Sequence, residues 1–327
     1  MIIIRDINKR NFYRWASQMS YFFTPTSKGF KDASKKYRGI YEDYIKKSND
    51  YSDFMVPGWR ENETKIKYYF MDKFNNSFLN NPIIRSTMFM DFAGEQQKNE
   101  LNYLKNRIPE KDLKQLLKEN NIGNPTITNF HYNTSHNTIH HLTHLFKFLD
   151  VTKNKVQKKF SNIHQVVEWG GGYGNLAKIF LKLNPEVTYI IIDIPVFSFI
   201  QAIYLSVVCD KEKINLILNQ EDSIEKGKIN IIPLNESLLN NLNITNTDLF
   251  ISTWALSEST KYAIEYVTSK NFFNAKYLLI AHQAKSEFTP YSETIKDNLS
   301  KFNILYHEKI PLLKNNYYLF AEQKNEI

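Results

Sequence analysis

From Val166 onward the apolar positions switch between short continuous runs and helical spacing. Val166-Val-Glu-Trp169 and Thr188-Tyr-Ile-Ile-Ile-Asp193 are compact runs that read as buried strands. Between them Leu176, Ile179, Phe180 and Leu183 recur at i, i+3, i+4 and i+7, the stripe of an amphipathic helix from Asn175 that Asn184-Pro185 ends. Pro195 then opens a helix to Val208 that is apolar nearly all round and so is expected to be buried. Ile229–Ile232, Asp248–Ser252 and Lys276–Ala281 read as the third, fourth and fifth strands, with a helix from Ser259 or Thr260 to about Lys270. Phe302–Glu308 and Tyr317–Glu322, joined by a short connection, predict a closing antiparallel hairpin at the sheet edge. Strands alternating with helices are the mark of a parallel sheet covered on both faces, an α/β architecture.

Residues 1–160 follow a different pattern, mostly helical. Helical spacing runs over Ile66–Leu79 and Glu95–Leu117, interrupted at Asn81-Pro82 and Ile108-Pro109. Ser135 is placed to cap a helix over His136–Leu149 whose apolar face is Ile139, Leu142, Phe146 and Leu149. The lysine-rich stretch Lys153–Lys159 is the expected boundary, giving a helical domain over 1–160 and a sheet domain over 161–327. Charge divides along the same line: 27 Lys+Arg against 16 Asp+Glu before residue 161, and 15 against 18 after it. A basic, tyrosine-rich half suits an anionic or sugar-bearing partner, or simply a solvated surface. One cysteine, Cys209, excludes an intrachain disulfide, and no apolar run approaches membrane-spanning length, so a cytoplasmic protein is the default.

The chemistry is concentrated where the first strand ends. Glu168 is followed by Gly170, Gly172 and Gly174 in the pattern Glu-x-Gly-x-Gly-x-Gly, a turn whose missing Cβ atoms let a ligand approach the backbone. Strand, glycine turn, helix, strand and terminal acid together form a grip for an adenine nucleoside, with Asp193 accepting from the ribose hydroxyls. The spacing from Gly172 to Asp193 also satisfies a dinucleotide fingerprint. A pyrophosphate would gain nothing from the Glu168 carboxylate, whereas S-adenosylmethionine brings an ammonium and a sulfonium. With the closing hairpin, which typifies methyltransferases of the Rossmann-like class, the expected cofactor is S-adenosyl-L-methionine. The cofactor-binding candidates are Glu168, Gly170, Gly172, Gly174, Asp193 and Ser252, the last at the end of the fourth strand.

Glu-Trp-Gly-Gly-Gly-Tyr-Gly-Asn-Leu-Ala (168–177), Ile-Ile-Asp-Ile-Pro (191–195) and Ser-Thr-Trp-Ala-Leu-Ser-Glu (252–258) together resemble the bacterial sugar O-methyltransferases associated with surface-polysaccharide assembly. The match covers the C-terminal half and extends before it only through Ile122-Gly-Asn-Pro125. The resemblance implies a Rossmann-like seven-stranded methyltransferase sheet behind a helical acceptor-binding or lid domain. It implies an O-methyltransferase acting on a sugar hydroxyl, in a free, nucleotide-linked or oligosaccharide precursor.

Ligands of such sheets bind outside the carboxyl ends of the strands, which brings Glu168, Asp193, Glu258 and His282 toward one place. Methyl transfer from a sulfonium is an in-line displacement that needs a base for the acceptor proton, and Glu258 and His282 are the candidates, His282 the favoured one. Five of the eight histidines lie between 131 and 144, with His136, His140 and His144 spaced four apart on one helical face. Such spacing makes a metal pair only with a further ligand, and no carboxylate lies within the run, so a packed face near the pocket is expected and no metal. His140 or His141 is then an outside candidate for the base. Two other functions remain open: RNA methylation, which fits the basic half but lacks an amino-methylating motif after the fourth strand, and a non-catalytic cofactor-binding or scaffolding subunit.

Overall fold

The computed structural model describes residues 27–47, 51–88, 90, 94–152 and 160–324. The expected boundary stretch Lys153–Lys159 lies outside the described residues. Among the described residues six helices precede the sheet: α1 (Lys28–Lys47), α2 (Pro57–Asp72), α3 (Pro82–Met88), α4 (Glu95–Lys105), α5 (Glu110–Leu117) and α6 (His136–Thr152). The helix expected to reach Leu79 stops at Asp72, and a separate 3-10 turn covers Phe78–Asn80. That turn pins Phe78, fully buried, beneath the ring of Tyr204 at 6.2 Å. Ser135 caps α6 as its position suggests, its Oγ accepting from Thr138 N at 3.2 Å.

The second half runs β1 (Gln165–Trp169), α7 (Asn175–Leu183), β2 (Thr188–Asp193), α8 (Pro195–Val208), β3 (Ile214–Leu216), β4 (Ile229–Pro233), α9 (Glu236–Asn241) and β5 (Leu249–Thr253). It closes with α10 (Lys261–Ser269), β6 (Tyr277–Gln283), β7 (Phe302–Lys309) and β8 (Asn316–Gln323). The strands form one sheet in the order β3-β4-β2-β1-β5-β6-β8-β7. All neighbours are parallel except the last two pairs, β6 with β8 and β8 with β7. This is an open α/β sheet, parallel throughout except for its reversed final hairpin. Among the described residues it has eight strands rather than seven: the short β3 pairs with the edge of β4, the run expected as the third strand. With only three half-buried residues, β3 carries too weak a hydrophobic signal to be read from sequence.

The helical half does not stand apart. A continuous apolar core runs from Phe30 to Ala321, with Tyr41 of α1 packed edge-on against Phe199 of α8 at 5.2 Å. One of the buried polar links between the halves is an ion pair. Lys178 on α7, 3% exposed, meets Glu119, 5% exposed, at 3.1 Å. Glu119 also accepts from Ser135 at 2.5 Å and from Thr138 at the start of α6, and Lys178 donates to Tyr204 of α8 at 3.1 Å. Burial would push the Glu119 carboxyl up, but Lys178 and the two hydroxyls hold it below the ordinary carboxylate range. Removing one partner of a buried pair leaves an uncompensated charge. Glu119→Gln should therefore lower the unfolding free energy by about 3–5 kcal/mol in a denaturant titration. The apolar pair Glu119→Leu with Lys178→Met should recover most of that loss; equal losses in single and double variants would show that the pair does not act as a unit.

Candidate active site

The strand order reverses between β2 and β5 on either side of β1, the switch point at which α/β sheets open a crevice. A cavity of about 510 Å³ opens there. Its floor is the β1 end and the glycine turn. Gly170 is left-handed at φ 81°, and a Cβ added there would lie 2.0 Å from the Ala255 side chain, so the turn can press against the segment after β5 only without one. Gly172, at φ 58°, faces the cavity with the nearest obstacle to a Cβ 3.4 Å away at Met88. Gly174 is not among the lining residues; it starts α7 and packs on Leu205.

Glu168 and Asp193 end neighbouring parallel strands and both line the cavity, 1% and 8% exposed. Asp193 accepts from Gly172 N at 3.1 Å, Ile194 N at 2.8 Å and Gln201 Nε2 at 2.8 Å. Burial nevertheless pushes its carboxyl up to about 7. Glu168 accepts only from Tyr189, at 2.9 Å, and burial, with the Asp193 charge adding to it, pushes its carboxyl up to about 8. Two neighbouring carboxyls whose burial outweighs their hydrogen bonds favour a ligand that brings further donors and positive charge. Ser252, by contrast, is fully buried and does not line the cavity. Its hydroxyl donates to Trp169 O and accepts from Leu256 N, each at 3.0 Å, tying β5 to β1.

The helical half supplies the opposite wall through Trp59, Arg85, Met88, Asn137, His140 and His141. His140, 1% exposed, sets its Nδ1 2.6 Å from Glu100 of α4, while its Nε2 has no hydrogen-bond partner among the described residues. Burial would raise the Glu100 carboxyl, yet His140 and His136 together hold it well below the ordinary range, so it is ionised. Trp254 stacks on the His140 ring at 5.5 Å and 25° from a left-handed backbone at φ 68°, its N–H donating to Ala281 O at 2.6 Å. His141 has Asn175 Nδ2 at 3.1 Å from its Nδ1, and burial lowers it to about 3, which keeps it neutral.

Glu258 precedes the cap residue of α10, Thr260, rather than sitting in its first turn. It lines the cavity and accepts from Trp59 Nε1 at 3.0 Å and Gln283 Nε2 at 3.1 Å, and burial raises its carboxyl. His282 is placed elsewhere. Tyr318 faces α6 through a hydrogen bond to His144, so its neighbour Tyr317 points to the other face of the sheet. His282 stacks on that Tyr317 at 5.7 Å and on His307 at 5.7 Å, and it does not line the cavity. Burial lowers it to about 4. The favoured base of the sequence reading thus points away from the ligand crevice because strand alternation turns it outward.

Glu100 escaped the sequence reading because nothing local distinguishes it; it meets His140 only through the packing of α4 on α6. Gln201 had a signal, as the single amide in the otherwise apolar α8. Fully buried, it donates to both Asp193 and Gly172 O.

No protein-family model matches the chain, and no curated protein matches it. Among solved structures, the mitomycin 7-O-methyltransferase MmcR is similar at 11% identity and a TM-score of 0.36, over 54% of this chain and 54% of its own, so the match spans about half the length of that enzyme. An O-methyltransferase family protein from Burkholderia thailandensis is similar at 14% identity and a TM-score of 0.38, over 58% and 62%. The pyocyanin biosynthetic protein PhzM is similar at 12% identity and a TM-score of 0.35, over 82% and 74%.

Proposed function

We propose that the chain is an S-adenosylmethionine-dependent O-methyltransferase whose acceptor is a sugar hydroxyl, in a free or precursor-linked glycan. The observation that carries this is the two-sided cavity: paired buried carboxylates and a glycine turn on one side, the Glu100–His140 pair on the other. Asp193 holds the ribose hydroxyls, and Glu168 faces the cationic amino-acid end of the cofactor. His140 Nε2 takes the acceptor proton as the oxygen attacks the methyl carbon, and Glu100 fixes the tautomer and stabilises the imidazolium. The carbon–sulfur bond breaks with its electrons left on sulfur, so one proton is released for each methyl transferred. Glu258, held by Trp59 and Gln283, orients acceptor hydroxyls. Trp59 and Trp254 add aromatic surface of the kind a sugar ring packs against. The motifs at 168–177, 191–195 and 252–258 support a sugar acceptor; cavity carboxylates at 168, 193 and 258 disfavour a polyanion such as RNA.

The direct test incubates the protein with labelled S-adenosylmethionine and glycan precursors and looks by mass spectrometry for the gain of one CH2 unit. Transfer to RNA instead, with affinity falling steeply as salt rises, would reverse the acceptor assignment. His140→Ala should lower kcat by about 10²–10⁴-fold with cofactor affinity nearly unchanged. His282→Ala should change kcat by only a few-fold; the reverse pattern would return the base to His282. Asp193→Ala should weaken S-adenosylhomocysteine binding by roughly 10–100-fold in calorimetry.

The two raised carboxyls set a pH dependence. Each contributes stability that is complete below its ordinary value, 4.5 for Glu168 and 3.8 for Asp193, and is lost as pH rises through about 8 and about 7. The ligand-free melting temperature should therefore fall between pH 5 and pH 8, less so in Glu168→Gln. A cationic ligand favours the ionised carboxylates, so the stabilisation by S-adenosylhomocysteine should grow from pH 6 to pH 8, measured by thermal shift. A ligand effect that shrinks over this range would show that Glu168 does not face the cation.

A further inference from the structure

His140 needs only one carboxylate to be oriented as a base, yet Glu100 is shared. Its second oxygen lies 3.1 Å from His136 Nε2, one turn earlier on the same face of α6. Glu100, His136 and His140 each offer a ligand atom within 4.8 Å of the others, and all three are buried. Gln96 donates to Glu100 from the preceding turn at 3.1 Å, holding the carboxylate in place. Two imidazoles spaced four apart on one helix and a carboxylate from a neighbouring helix form a borderline donor set, suited to zinc and its first-row neighbours rather than to magnesium or calcium. Bound at about 2.0–2.2 Å in a tetrahedron, such donors stand roughly 3.3 Å apart. The Glu100–His136 contact is already close to that, and the 2.6 Å Glu100–His140 contact has to open by less than an ångström. Glu100 also lines a second cavity, of about 140 Å³, from which water can complete the coordination shell.

We propose that Glu100, His136 and His140 form a binding site for one zinc-class divalent ion, and that its occupancy switches the base off. The site stands on the donor geometry alone; the switch rests on the reading of His140 as the base. Without metal, His140 Nδ1 carries the proton and donates it to Glu100, leaving the Nε2 lone pair on the cavity. A metal on Nδ1 needs the lone pair of Nδ1 itself, so the neutral ring must carry its proton on Nε2. The ring then presents a donor where the acceptor hydroxyl needs a proton acceptor. Binding at this site consequently competes with the very tautomer that methyl transfer requires.

Titration of the full-length protein with Co2+, followed by its visible absorption, should show one tetrahedral site per chain that Zn2+ displaces. Glu100→Gln keeps the shape and Glu100→Gln and His136→Gln should each weaken Co2+ by about 10–100-fold or more. Retained binding of S-adenosylhomocysteine in both variants would confirm that they fold. Nitrogen-15 imidazole spectra with Zn2+ should show His140 Nε2 passing from unprotonated to protonated. No saturable uptake, or uptake equally tight in both variants, would overturn the site. Uptake that leaves the His140 tautomer unchanged would overturn the switch. A kcat insensitive to His140→Ala would count against the base itself, whatever the metal does.

Discussion

The buried pair between Lys178 and Glu119 is the constraint on which the site's geometry depends. The sheet half places the glycine turn and the carboxylates of Glu168, Asp193 and Glu258, and α6 brings His140 to the opposite wall. Helix α6 is registered against α7 by Glu119, which takes Lys178 on one oxygen and the hydroxyls of Ser135 and Thr138 on the other. Because α7 grows directly out of the glycine turn, the same contact fixes how far His140 stands from that turn across the cavity. Neither charge has access to water, so the geometry is held by an interaction that is costly to leave half made.

The cavity itself is a place where favourable local rules are broken. Glu168 and Asp193 are buried with raised carboxyls, Trp254 holds a left-handed backbone, and the Nε2 atom of His140 goes without a partner. Each of these costs free energy, and the buried polar groups among them are of the kind that a cation, a hydroxyl donor or a proton offsets. The carboxyls and the imidazole thereby differ from satisfied polar groups such as Ser252, whose hydroxyl has both a donor and an acceptor.

Charge is arranged on two scales. Over the whole chain the helical half is basic and the sheet half slightly acidic. Inside the cavity the order is reversed in effect, with Glu168, Asp193 and Glu258 set against Arg85. Among the described residues of the helical half, Lys36, Lys73 and Lys105 are exposed and lie over tyrosine rings, away from the crevice. The basic excess says little about the group that enters the crevice.

The sheet was legible because parallel strands buried on both faces are written as unbroken apolar runs, and the glycine turn because its spacing is local. The helix α6, its Ser135 cap and the break at Ile108-Pro109 were legible for the same reason: period and punctuation act within a few residues. The edge strand β3 was not, since three half-buried residues leave no period to read. The base could not be chosen from sequence either. Both His140 and His282 stand in plausible places along the chain, and only strand alternation, seen against α6, turns His282 out of the crevice. Glu100 stands 40 residues before His140 and is joined to it by helix packing alone. Sequence by itself determined the elements and the glycine-turn side of the cavity, because those follow from contacts between near neighbours. The tertiary structure decided the opposite wall, because it is assembled across helices whose relative placement is set by buried packing and by one buried ion pair.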